Sequence, residues 1–243
     1  MNQIPPTKAP FVLSTPDLAP DPIGDDIDVY LPDGDWQVPA VVYVHGMPYP
    51  SEWPGPRVWP VYLGYGRATA ERGAAGVVFT HSSGDEPDYD ASAAKLDAVI
   101  DAVREHPRVD GDRLSLWHFS GGGPLSADYL REPPPWLRCL ALTYPMLDDV
   151  RGFGIPQRMR PIDAIAHAGR LPVVLSNAGR EREDLAEAVT RFRAAASNAD
   201  ANLTVIEVPD GQHGFDFADH TQQSRQAVTQ ALDTVLGHLR QGS

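Results

Sequence analysis

Short runs of apolar residues recur along the chain, separated by stretches in which apolar residues return every three or four positions. Val41-Val42-Tyr43-Val44, Ala75-Gly76-Val77-Val78-Phe79 and Leu114-Ser115-Leu116-Trp117 are of the first kind. So are Cys139-Leu140-Ala141-Leu142, Pro172-Val173-Val174-Leu175 and Leu203-Thr204-Val205-Ile206. Such runs predict strands buried on both faces, while the alternation of Ile27-Asp28-Val29-Tyr30-Leu31 predicts a half-buried one. The helical spacing appears in Leu96, Val99, Ile100 and Val103, and again in Leu185, Ala188, Val189 and Phe192. Val228, Leu232, Val235, Leu236 and Leu239 mark a closing helix. Strands alternating with helices predict an α/β fold: one mostly parallel central sheet with helices on both faces. Ligands of such sheets sit beyond the carboxyl ends of the strands, so the residues just after each strand are the place to look for chemistry.

At 243 residues the chain fits a single domain, expected over 25–243, preceded by a Pro-rich arm over 1–24 in which Phe11-Val12-Leu13 is a candidate edge strand. The formal net charge of −13 repels nucleic acid and anionic membranes, and neither is expected as a partner. The first twenty or so residues are broken by prolines where a secretory signal needs a continuous apolar stretch, and no run approaches the ~18 apolar residues of a membrane span. A soluble cytoplasmic protein is expected. The lone Cys139 has no intramolecular partner and lies in a predicted strand.

Three strand ends carry candidate chemistry. The run Leu114 to Trp117 leads into His118-Phe119-Ser120-Gly121-Gly122-Gly123, with a helix expected from Pro124. A strand, a sharp glycine-rich turn and a helix form the context in which a serine hydroxyl is pushed out above a sheet as a nucleophile. After the last predicted strand comes Gly211-Gln212-His213-Gly214-Phe215, a loop histidine framed by glycines and poorly placed for core packing. His106, His167, His220 and His238 lack such a frame. Val44-His45-Gly46-Met47 closes another strand, where the Met47 N–H, with that of Gly121, can face a reacting carbonyl oxygen. His45 reads as a support of that loop.

Taken together, strand-His-Gly, then strand-x-x-Ser-Gly-Gly, then a late Gly-x-His-Gly-Phe resembles the α/β-hydrolase superfamily, and within it the dienelactone-hydrolase-like esterases that lack a large cap. The likeness runs from about residue 25 to the C-terminus. It implies a Ser-acid-His triad with Ser120 as nucleophile, His213 as general base, and Met47 and Gly121 as the oxyanion hole. The acid is expected on the loop after Val173-Val174-Leu175, where the family's Gly-x-Asp/Glu falls on Gly179-Arg180-Glu181. Glu183 is an alternative, as are Asp148 and Asp149 on an earlier loop; Asp184-x-x-Glu187 reads as a capping box. Two features depart from the family. His118 stands where a small residue is usual two places before the nucleophile, and serine replaces the cysteine of true dienelactone hydrolases.

The implied chemistry is acyl transfer through a covalent ester, needing no metal or organic cofactor, on a small ester or lactone. A tailoring enzyme performing lactone opening, cyclisation or acyl transfer has the same motifs, as does a non-catalytic ligand-binding member. Tyr49 and Trp53, with Trp59, are candidate pocket walls on the Pro48–Pro60 loop, and His118 is a candidate second imidazole at the site. His81-Ser82-Ser83-Gly84-Asp85 reads either as a site loop or as a polar turn. The short span from Pro145 to Arg170 leaves no room for a large lid.

Overall fold

Each strand predicted from Ile27 onward forms, and all join one sheet. The computed structural model describes residues 4–82, 84–150 and 152–240. Its strands are β1 (Asp21–Ile23), β2 (Ile27–Tyr30), β3 (Val38–Val44), β4 (Ala75–Phe79), β5 (Val109–Phe119), β6 (Leu137–Thr143), β7 (Val173–Arg180) and β8 (Leu203–Gln212). They lie in the order β1-β2-β4-β3-β5-β6-β7-β8. β1 and β2 are antiparallel to each other and β2 to β4, while every pair from β4 to β8 is parallel.

The parallel strands are covered on both sides. Along β3, Ala40, Val42 and Val44 pack on one side with Leu96, Val99 and Val103 of α2 (Tyr89–Arg104) and with Leu185 and Phe192 of α5 (Glu183–Asn198). The alternate residues Val41 and Tyr43 face the other side, where α1 (Pro60–Glu71) and α7 (Gln222–Arg240) lie. Period-two alternation thus sends successive side chains of an all-apolar strand into two separate cores. Each fully buried Val or Leu contributes about 1.5–3 kcal/mol, so the α7 stripe of Val228, Leu232, Val235, Leu236 and Leu239 is a major anchor.

The chain runs from β3 through α1 to β4, then through α2 to β5 on the far side of β3. This reversal opens a crevice at the carboxyl ends of β3 and β5, where doubly wound sheets bind ligands. Between β6 and β7 only short helices occur among the described residues: Gln157–Met159, α4 (Pro161–Ala164) and Ile165–His167. Among the described residues there is accordingly no large cap. Among the described residues no helix is long and apolar enough to cross a membrane.

Three local expectations change. Phe11-Val12-Leu13 pairs with no strand; Val12 N–H donates to the Asp216 carbonyl at 2.9 Å and Phe11 packs its ring 4.7 Å from that of Tyr65, so this segment is held by packing. After Ser120 the chain first makes a 3-10 turn, Ser120–Ser126, and only then the short α3 (Ala127–Arg131). Asp184 is not the cap of α5: that position is Arg182, and Asp184 sits in the first turn, accepting from Leu185 N–H at 2.9 Å and pairing with Arg182.

Candidate active site

β5 delivers Ser120 to the crevice in a strained backbone conformation, φ +46°. A non-glycine residue in the left-handed region costs on the order of 1–3 kcal/mol and needs surroundings that hold it there. The Ser120 carbonyl accepts from Met146 N–H at 2.8 Å. The glycines that follow let neighbouring backbones close in. A Cβ on Gly121 would fall 1.7 Å from the Met47 oxygen, one on Gly122 2.3 Å from the His45 oxygen, and one on Gly123 2.4 Å from the Met146 oxygen. The turn is thereby clamped between the loops after β3 and β6. Met47 and Gly121 lie against each other beside the serine.

His213 follows β8 directly. Its loop is set by Gly214, at φ +77°, which begins α6 (Phe215–Ala218), and by Asp219, whose carboxylate accepts from Gln212 N–H at 2.8 Å. The imidazole lies between two partners: Nε2 is 2.8 Å from Ser120 Oγ, and Nδ1 is 2.5 Å from Glu181 Oε2. A neutral ring protonated on Nδ1 satisfies both, donating to the carboxylate and accepting from the hydroxyl. Glu181 is the first residue past β7; its side chain is only 4% exposed, and its second oxygen accepts from Arg182 N–H at 2.8 Å. The other candidate acids are not at this position. Glu183 begins α5, and Asp148 and Asp149 pair with Arg160, Asp148 also with Arg191.

Behind the histidine lies a buried polar cluster that sequence reading missed. Tyr144, directly after β6 and also strained at φ +37°, places its ring 4.7 Å from that of His213. Its hydroxyl donates to Asp216 at 2.7 Å, and Tyr65 donates to the same carboxylate at 3.0 Å. Asp216 is fully buried, and desolvation pushes its pKa up to about 6, against the lowering effect of the two tyrosine hydrogen bonds and of His213. The signal for Tyr144 was its place at a strand end; Asp216 lies only three residues beyond His213.

His118 does not reach the site, contrary to expectation. Trp117 and Phe119 pack with the α1 and α7 core, so the pleat sends His118 to the opposite side. There it is fully buried, with Nδ1 3.1 Å from the Gly122 oxygen, and desolvation lowers its pKa to about 3. His45 is a support: Nδ1 donates to its neighbour's Gly46 carbonyl at 2.9 Å and Nε2 accepts from His81 N–H at 3.1 Å. Its ring stacks on His81 at 3.7 Å, and His81 Nε2 donates to the His45 carbonyl at 3.0 Å. The segment His81–Asp85 therefore contributes a brace at its start, and Ser83 lies outside the described residues. Cys139 is buried in β6 with its thiol pushed up to about 12 by desolvation, which makes it unreactive at neutral pH.

Ser120 and His213 open into a cavity of about 280 Å³, walled in part by Tyr49, Trp53, Trp59 and Tyr62. A hollow of about 320 Å³ near α2 and α3 contains neither residue in its walls, so volume alone does not mark the site. Among the described residues no group of three or more His, Cys, Asp or Glu side chains is arranged to hold a metal ion.

Comparisons of sequence find no matching family model and no matching curated protein. Comparison of structures finds many. A fungal esterase from Rhizomucor miehei superposes with a TM-score of 0.74 at 15% identity, over 93% of this chain and 85% of that one. An esterase from Pyrobaculum calidifontis gives 0.69 at 18% identity, over 87% and 80%. A Klebsiella pneumoniae protein assigned by name to the dienelactone hydrolases gives 0.67 at 19% identity, over 93% and 97%. With its strand order, its strained serine turn and these neighbours, the chain has the α/β-hydrolase fold.

Proposed function

We propose that the protein is a serine hydrolase of small carboxylic esters or lactones. The observation that carries this reading is the continuous line of contacts from Ser120 Oγ through His213 to the sheltered Glu181 carboxylate. In the reaction, Ser120 Oγ attacks the substrate carbonyl carbon as its proton passes to His213 Nε2. Glu181 holds the ring by Nδ1 and stabilises the imidazolium. The carbonyl oxygen, now negative, takes hydrogen bonds from the Met47 and Gly121 amides. Collapse expels the alcohol, which receives the proton from His213 and leaves an acyl ester on Ser120. Water, deprotonated by His213, attacks that ester; the acid departs and the serine regains its proton. The residues use no cofactor in any of these steps.

A two-step reaction has a kinetic signature. Mixing the protein with 4-nitrophenyl acetate should release a burst of nitrophenolate, close to one per active site, wherever deacylation is slower than acylation. His213→Ala should abolish both burst and turnover. Undiminished turnover in that variant would sink the proposal.

A further inference from the structure

Four aromatic residues around the cavity, Tyr49, Trp59, Tyr62 and Tyr144, have their polar ends bonded within the protein. The Tyr49 hydroxyl donates to the Ser82 carbonyl. Trp59 Nε1 donates to the Pro54 carbonyl at 2.7 Å, and the Tyr62 hydroxyl accepts from Gly46 N–H at 3.0 Å. Tyr144 is committed to Asp216 at 2.7 Å. Tyr49 and Trp53 each meet Trp59 edge to face, at 5.5 and 5.9 Å between centroids, so the rings brace one another. The remaining walls include Met47, Val61 and Phe217, which are apolar.

Charge is absent from the lining in the same systematic way. Among the described residues no Lys, Arg, Asp or Glu belongs to it. Arg57, on the same loop as the tryptophans, is turned away to Asp28, 3.5 Å from its guanidinium. Lys8, two residues beyond the wall residue Pro6, is exposed to solvent. Two carboxylates are set just behind its walls: Glu181 against His213, and Asp216 against Tyr144. A substrate carboxylate entering here gives up its hydration, finds no cation among the described lining residues, and faces two buried negative groups. An apolar group gains from leaving water and from ring contact. The volume is below the roughly 300–1,000 Å³ of pockets for drug-sized ligands, which suits one ring and little more.

We propose that this cavity selects esters or lactones whose bound group is uncharged, apolar and no larger than about one ring, and rejects those that place a carboxylate there. The inference rests on the hydrolase reading given above.

Paired substrates of equal shape test it on both sides of the scissile bond. On the acyl side, 4-nitrophenyl 4-isopropylbenzoate is compared with mono-(4-nitrophenyl) terephthalate. On the leaving-group side, 4-isopropylphenyl acetate is compared with 4-acetoxybenzoate. In at least one pair kcat/KM should favour the neutral member by about 100-fold or more, as expected where a charge is left unpaired against apolar walls. The ratio should persist in about 0.5 M KCl, because salt screens the long-range repulsion of an acidic protein and not local desolvation. Ratios within about threefold in both pairs, or a preference that collapses in salt, would overturn the selectivity. Trp53→Arg, checked for an unchanged Tm, should cut the preference about tenfold by supplying a cation; an undiminished preference there would refute the charge explanation. A neutral fluorophosphonate probe separates the failures. Labelled protein that does not prefer the neutral esters refutes the selectivity alone; protein neither labelled nor active on any of the four refutes the hydrolase reading as well.

Discussion

At the scale of single residues, the choice among neighbouring acids is the sharpest matter. Glu181, Glu183 and Asp184 lie within four positions, yet the end of β7 divides their surroundings: Glu181 shelters against His213, and the other two belong to the first turn of α5. Glu181→Gln should leave the fold intact and lower kcat by up to roughly 10⁴. Glu183→Gln should stay near the parent rate, and steady-state kinetics of the pair decides between them; the opposite ranking would move the acid to Glu183. That Ser120, Glu181 and His213 come together was legible in sequence, because each stands at a strand end and they follow in that chain order. His118 was not legible. Closeness along the chain made it a candidate, but alternate residues of a strand point to opposite faces. Asp216 also escaped notice, since its role as acceptor for Tyr65 and Tyr144 joins residues 151 and 72 positions apart.

At the scale of elements, the buried strands were read correctly, β4 at its full length and most of the others too short. β8 runs on to Gln212 through Glu207 and Asp210, because pairing with β7 continues where the apolar pattern stops. α1 was missed for the opposite reason. Val61, Tyr62, Gly64, Tyr65, Gly66, Ala68, Thr69 and Ala70 are all buried, so no polar stripe reveals a period. Its glycines admit Phe11 and Tyr30, whose ring atoms would stand 2.3 and 2.5 Å from an added Cβ. The serine turn obeys the same rule more strictly, since what crowds it is backbone. Gly122→Ala should destabilise the protein by at least about 1–3 kcal/mol, the usual cost of overpacking, as measured by urea unfolding. An unchanged midpoint would mean that the turn and the loop after β3 are not clamped together.

At the scale of the whole molecule, acid should act through three buried histidines. Desolvation draws His81 down to about 4 and His118 to about 3, and holds His45 well below the ordinary 6.5. The folded protein keeps these rings neutral, whereas an unfolded chain binds their protons once the pH drops below 6.5. Their stabilisation is therefore complete above that pH and is lost as pH falls toward 4, at roughly 1.4 kcal/mol per pH unit for each ring. Asp216 works the other way, since its raised pKa favours the folded state between about 6 and 3.8. Three groups outweigh one, so Tm should fall steadily from pH 6.5 to 4.5; a flat or rising Tm would contradict the neutral, buried state of the histidines. The sheet, its two cores and its reversal between β3 and β5 all converge on one hydroxyl, and that hydroxyl offers the most direct test. Incubation with a fluorophosphonate should add one probe mass per chain, located by peptide mass spectrometry on Ser120, and Ser120→Ala should lose both the label and about 10⁴–10⁶ of kcat while keeping its Tm. Unlabelled native protein, or a folded Ser120→Ala variant that still turns over esters at the native rate, would contradict the account.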